Sequence, residues 1–330
     1  MCPRERKKTG QRILLKMRAL VTGGAGFIGS HLCDRLIARG YEVWCIDNLH
    51  LGQIRNIAHL ERRPGFIFRK CDVAEAGALD ALCGEAQFDS IFHMAANSDT
   101  RAGSADLDLD LRLNFTTTLE ALRAMRKHDI KRLFFASTSA VFGEPAFKLT
   151  ELSGPLQPVS TYGASKLAAE AYLSVASHTF GKQVVVLRFP NVVGERATHG
   201  VVFDFLRKLE VDPGRLEVLG DGRQTKPYLY VGDLIDAILL TWDRSSEPLA
   251  VYHCAGIGET TVREIAELIV AAVGRPTTRI EYTGGDRGWP GDVPKFSYDS
   301  SKLRALGWTP HYSSTEAVRE AIRRIRANGF

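Results

Sequence analysis

The segment Thr22-Gly23-Gly24-Ala25-Gly26-Phe27-Ile28-Gly29-Ser30-His31-Leu32 follows directly on the apolar run 18–22, and its glycines at 23, 26 and 29 restrict the fold more than any other stretch. Glycine allows a tight turn and lets backbone N–H groups approach an anion closely. A helix starting there adds its partial positive charge to the same point. With a strand before and helix-compatible sequence after, the spacing predicts the first βαβ unit of a dinucleotide-binding sheet, Gly23, Gly26, Phe27, Ile28 and Gly29 lying against a pyrophosphate.

The rest of the first 190 residues agrees. Short Val/Ile/Leu/Phe-rich runs at 18–22, 42–46, 66–69, 90–94, 132–137 and 184–188 alternate with helix-compatible stretches at 27–39, 76–85, 106–128 and 162–180. Apolar strands separated by helices imply a parallel sheet covered on both faces, a Rossmann-type doubly wound α/β fold. Beyond 190, prolines at 190, 213, 227, 248, 276, 290, 294 and 310 interrupt the pattern. Helices are expected at 260–273 and 314–328, and a strand at 250–254 that rejoins the main sheet. The expected division is a cofactor-binding domain, 17–188 plus about 228–256, and a smaller C-terminal substrate-binding lobe, 189–227 plus 257–330.

Charge excludes one class of partner. The chain carries 43 Lys+Arg and 38 Asp+Glu, net +5. Six basic residues and one acidic residue fall within 1–16, so the remaining 314 residues hold 37 of each sign. Binding to nucleic acid or an anionic membrane is therefore not expected of the folded part. Residues 1–16 read as a disordered leader ahead of Met17, with no apolar core of signal-peptide length. No run approaches the ~20 apolar residues of a membrane span. The six cysteines form no CxxC pair or metal-like cluster, so neither a metal site nor a disulfide framework is expected, and the chain reads as cytoplasmic.

Asp47 ends the second strand 18 residues after Gly29, beside Asn48. A carboxylate there accepts hydrogen bonds from a ribose 2′-OH and repels a 2′-phosphate, which favours NAD over NADP. Asp72-Val73 ends the third strand; Asp72 is read as an adenine contact, with capping of the next helix as the alternative. His93-Met94-Ala95-Ala96-Asn97 closes the fourth strand, at the sheet edge where such folds place ligands. His93 is read as structural. Tyr162 and Lys166 are four apart, on one face of a helix. A free tyrosine ionises at about 10, but a nearby ammonium and a positively charged nicotinamide would favour the phenolate. The end of strand five, Ser137-Thr138-Ser139, supplies a hydroxyl for the same substrate oxygen.

Together these features resemble the extended short-chain dehydrogenase/reductase superfamily, in particular its NAD-dependent nucleotide-sugar epimerase/dehydratase family, over roughly 17–310. The carriers are TGGAGFIGSHL (22–32), HMAAN (93–97), ASTSAVFG (136–143), YGASK (162–166), RFPNVVG (188–194), GDGRQTKPYLYVGD (220–233) and RGWPGDVPKF (287–296). The resemblance implies tightly bound NAD, a nucleotide-diphosphate sugar substrate and a homodimer built on the helices near 106–128 and 162–180. It implies that Thr138 and Tyr162 hold the sugar hydroxyl, and that Lys166 binds the nicotinamide ribose. It also implies that Ala95 and Ala96 meet the cofactor, and that Asn97, Asn191, Lys226, Arg287 and Phe296 meet the substrate.

Departures from the family pattern narrow the reaction. Dehydrating relatives carry Asp-Glu after the hydroxyl residue, and decarboxylating relatives carry Glu at the position of Ala140; here the pair is Ser139-Ala140. Alanine transfers no proton, so the expected reaction is 4-epimerisation, of the UDP-glucose/UDP-galactose type, through a transient 4-keto sugar. A dehydrogenase, 4-ketoreductase or dehydratase of the same family is the alternative, and a non-catalytic NAD-binding protein a remote one. Phe142 stands where a tyrosine is usual, which is expected to remove a hydroxyl from the pocket. Phe296 is expected to favour an unacetylated hexose.

Overall fold

The chain's computed structural model describes residues 17–144, 148–285, 297 and 299–328. β-Branched and aromatic residues suit strands covered on both faces, and the apolar runs form them. In chain order the first half is β1 (Arg18–Thr22), α1 (Phe27–Ala38), β2 (Glu42–Asp47), β3 (Phe66–Lys70), α2 (Ala78–Glu85), β4 (Ser90–His93), α3 (Thr100–Ala105), α4 (Leu107–Asp110), a π-helical turn (Leu111–Thr116), α5 (Thr117–Lys127), β5 (Arg132–Thr138), α6 (Thr161–Phe180) and β6 (Gln183–Phe189). Then come β7 (Asn191–Val193), α7 (Val201–Val211), β8 (Arg215–Val218), β9 (Thr225–Lys226), β10 (Tyr228–Tyr230), α8 (Val231–Arg244), β11 (Leu249–His253), β12 (Thr260–Thr261), α9 (Val262–Val273), β13 (Arg279–Tyr282), α10 (Ser301–Ala305) and α11 (Ser314–Asn328).

Among the described residues the main sheet has seven parallel strands in the order β11-β6-β5-β4-β1-β2-β3. The order reverses between β1 and β4, whose C-terminal ends therefore flank a crevice for ligands. Alternate strand residues feed two cores: Val21, Phe92 and Phe134 face one side with Leu32 and Leu36 of α1, and Leu20, Ile91 and Phe135 face the other with Met125 of α5 and Leu173 of α6. β11 joins the edge beside β6, as expected for 250–254. Outside the main sheet, β8 pairs with β13 and β9 with β12, which joins segments before and after β11. Among the described residues no helix is long and apolar enough to cross a membrane.

The single helix expected over 106–128 is instead α4, a π turn and α5, with the further short helix α3 just before them. Asp99 accepts the Arg101 and Ala102 N–H groups at 3.0 and 3.1 Å, and Asp106 accepts that of Asp108 at 3.0 Å, so each short helix starts on its own cap. Helices α7 and α8 were not expected. The flanking prolines dominate that stretch, yet α8 buries Leu234, Ile235, Ile238 and Trp242 in the core.

Candidate active site

Gly23 has φ +66°, where a side chain is strained, and a Cβ there would lie 2.7 Å from the Ala95 nitrogen. A Cβ on Gly29 would overlap the Gly23 carbonyl oxygen. The turn therefore packs against the end of β4 and the first turn of α1 with nothing between. Asp47 fastens it: Oδ2 accepts the Ala25 N–H at 2.9 Å and Oδ1 the Leu49 N–H at 2.8 Å. Burial raises the Asp47 pKa, and the backbone N–H groups of Leu49, Ala25 and Gly26 work against that rise.

A cavity of about 780 Å³ opens over this turn and over the ends of β1, β2, β4 and β5. Gly23, Gly26, Phe27, Ile28 and Gly29 line it, as do Asp47, Asn48, Asp72, Val73, Ala95 and Ala96. Asp72 caps no helix, since α2 begins at Ala78; its Oδ1 accepts the Ala74 N–H at 2.9 Å.

Thr138, Ser139, Tyr162 and Lys166 line the cavity's middle. Ser160 caps α6 through the Gly163 N–H at 3.1 Å. Gly163 lets the first turn of α6 press on the turn after β5, because a Cβ there would overlap the Ala140 carbonyl oxygen. That approach brings Tyr162 to the same part of the cavity as Thr138. Of the three hydroxyls at the end of β5, Ser137 is turned to Glu170, Thr138 and Ser139 line the cavity, and Thr138 is the one that acts on the tyrosine's ionisation.

Lys166 is 2% exposed and donates from Nζ to the Ala136 carbonyl at 2.8 Å. Burial brings its pKa down to about 8, against the pull of Glu170 and Asp110. Tyr162 is pushed up to about 12, chiefly by burial, with the Thr138 hydrogen bond opposing. The expected lowering of the tyrosine by Lys166 is therefore not seen in the protein on its own, where loss of water sets the direction.

Beneath the pair lies a network that sequence reading missed. The Asn114 amide, presented by the π turn, donates to Asp110 at 3.1 Å and to Ser165 at 3.0 Å, and its oxygen accepts the Asn97 N–H at 2.7 Å. A π turn re-aims one residue out of helical register. Asp110, fully buried, also accepts Thr161 Oγ1 at 2.7 Å. Asn97 belongs here: 3% exposed, it donates to Asp110 at 2.8 Å and to the Asp99 carbonyl at 3.0 Å. It does not line the cavity, which corrects its expected role as a substrate contact. His93 bonds Thr22 Oγ1 at 2.8 Å and Thr118 Oγ1 at 3.2 Å, and burial lowers its pKa to about 3, in keeping with a structural role.

At the far end Asn191 and Lys226 line the cavity as expected, with Arg101, His199, Asp204, Arg207 and Lys208. Most of these come from α7, whose amphipathic pattern was the missed signal. Phe142 is buried against His253 and under the Arg188 guanidinium, and does not line the cavity; it fills core space and takes no hydroxyl from the pocket. Arg287 and Phe296 lie outside the described residues.

Residues 19–255 match the model of the NAD dependent epimerase/dehydratase family. The chain belongs to that family. It is 31% identical over 320 residues to the UDP-glucose 4-epimerase of Mycolicibacterium smegmatis, covering 94% of this chain and 99% of that protein. It is also 31% identical over 323 residues to a dTDP-glucose 4,6-dehydratase of Actinoplanes, covering 94% and 98%. The solved Thermus thermophilus UDP-glucose 4-epimerase in complex with NAD superposes with a TM-score of 0.84 at 34% identity, covering 95% of this chain and all of that one.

The cofactor of the family is NAD, and the residues of this chain fit it. The close packing that glycine permits at 23 and 29 lets the turn and the N-terminus of α1 line the cavity, and a carboxylate stands beside them at 47.

Proposed function

We propose that the protein is a nucleotide-sugar 4-epimerase of the UDP-glucose/UDP-galactose type. The carrying observation is at the end of β5, where Thr138 lines the cavity with Tyr162 while the next two positions are Ser139 and Ala140. Dehydrating members of the family place two proton-transferring acids at those positions. Here Tyr162 is the proton-transferring group beside Thr138, which suffices for a reaction that oxidises and re-reduces one carbon.

In this reading the turn at 23–29 holds the pyrophosphate of NAD, Asp47 and Asn48 its adenosine ribose, Asp72 and Val73 its adenine, and Lys166 its nicotinamide ribose. NAD, when bound, supplies a reversible hydride acceptor. Thr138 and Tyr162 hold the sugar's 4-oxygen between them. Tyr162 Oη takes that oxygen's proton and later returns it, after the sugar has turned its other face. The segments 189–227 and 257–330 form the nucleotide-sugar lobe, with Asn191 on the sugar and Lys226 on the diphosphate, where an ammonium acts as a point charge.

Incubation with UDP-, GDP-, dTDP- and CDP-hexoses, with products identified by NMR, should give the 4-epimer with no accumulation of NADH. A 4-keto-6-deoxy product, or one NADH per sugar, would sink this reading in favour of a dehydratase or a dehydrogenase.

We also propose a homodimer through α4, the π turn and α6. Leu107, Leu111, Tyr172 and Val175 are exposed there, a concentration of apolar surface that water alone does not favour. Sedimentation should show a dimer in the parent and a monomer in Leu111→Asp/Val175→Asp; a parent that sediments as a monomer refutes it.

A further inference from the structure

Glu170 follows Lys166 by one turn of α6 and Tyr162 by two, so the three share a helix face. Its side chain is 9% exposed. The carboxylate takes a forked contact from Arg188 of β6, Nε to Oε1 at 3.0 Å and Nη2 to Oε2 at 2.6 Å, and accepts the hydroxyl of Ser137 of β5. Ser137 and Arg188 are register partners across the two strands. Ser137 immediately precedes Thr138. One carboxylate thus ties the strand end that carries the hydroxyl to the helix that carries Tyr162 and Lys166.

Stability alone does not explain an ion pair in this place, because an apolar pair of equal volume often does as well or better. Lys166 supplies a reason. It is almost without water, with one hydrogen bond to a carbonyl and the Phe135 ring 4.6 Å from Nζ. A buried amine in such a place tends to lose its proton. The groups acting on it are few. His93 of β4 is held neutral by burial, Asp110 of α4 and Glu170 favour the ammonium, Tyr162 carries a protonated phenol, and Arg188 is committed to Glu170.

We propose that Glu170 is a positioning residue: held by Arg188 and Ser137, it keeps Lys166 an ammonium at neutral pH and fixes the end of β5 beside Thr138. The inference rests on the assignment of Thr138, Tyr162 and Lys166 to the chemistry.

The test follows the lysine itself. In protein labelled with [ε-13C]lysine, the Lys166 resonance is assigned by its absence in Lys166→Arg. It should titrate at about 8 in the parent. In Glu170→Gln it should titrate lower by at least about one pH unit. The alkaline limb of kcat should move down with it. Glu170→Asp, which keeps the charge, should return both toward the parent values. If the lone Arg188 left by Glu170→Gln unfolds the protein, the double variant Glu170→Gln/Arg188→Met leaves no unpaired buried ion; because it also removes a cation, the fall in the Lys166 titration should be of the same sign but smaller. A Lys166 titration unmoved in the folded variant would overturn the proposal and leave the pair a scaffold. Undiminished turnover in Lys166→Met would instead overturn the underlying assignment, a result separate from the titration.

Discussion

Tyr162→Phe should lower kcat by about 10²–10⁴-fold, the usual worth of a positioned acid–base group, while NAD stays bound in purified protein. The substitution removes one oxygen. The ring keeps its place on the first turn of α6, whose cap on Ser160 and contact through Gly163 do not involve the phenol. What is lost is the phenolic oxygen beside Thr138, the atom proposed to exchange a proton with the sugar. The pH behaviour should show the same thing. Burial holds the phenol at about 12, so at neutral pH the protein alone carries it protonated. The positive charge of bound NAD should lower it, so an ultraviolet tyrosinate titration should reveal one group that ionises at lower pH in the NAD-loaded enzyme than in the free protein. That group should be missing from Tyr162→Phe. Turnover within a few-fold of the parent would remove Tyr162 from the chemistry.

The residues expected to hold the cofactor come together in one cavity because their demands are local. A glycine turn, a carboxylate at the next strand end and small residues at the fourth strand end are each set by backbone within a few residues, and all of them line the cavity. The YxxxK pair was legible for the same reason, since one helix fixes its spacing. The supports were not legible. Glu170 meets Arg188 and Ser137 from two other strands, and Asn114 reaches Asn97 and Ser165 through a π turn that no helical periodicity announces. Asn97 went wrong for this reason: its position at a strand end pointed to a ligand, but the amide serves buried Asp110. Lys166 and Tyr162 show a related gap. Their spacing was readable, but the degree of burial that sets their ionisation was not. The stretch beyond 190 failed differently. Strands of two to four residues such as β9 and β12 carry too little pattern, and the prolines obscured α7 and α8, whose buried faces complete the core.

The glycine turn gives the other large expected effect. Gly29→Ala should strip NAD from the purified protein and lower its thermal stability together. A methyl at 29 would meet the Gly23 carbonyl oxygen and lie 2.9 Å from the Gly24 Cα, both backbone atoms that no side-chain rotation can clear. Gly24 has no slack behind it, because the Cys45 sulfur already lies within 3 Å of where its own Cβ would stand. Overpacking of this kind costs about 1–3 kcal/mol, and the turn relieves it only by moving the N–H groups proposed to hold the pyrophosphate. At about 1.4 kcal/mol per tenfold, a 10- to 100-fold loss of NAD affinity follows, measurable by calorimetry on NAD-stripped protein. Gly84→Ala is the matched control. Gly84 lies in α2 with open space where a Cβ would stand, so the same substitution should leave NAD binding unchanged and add about 0.4–1 kcal/mol of stability. If Gly29→Ala bound NAD as tightly as Gly84→Ala, the cradle at 23–29 would not be what holds the cofactor.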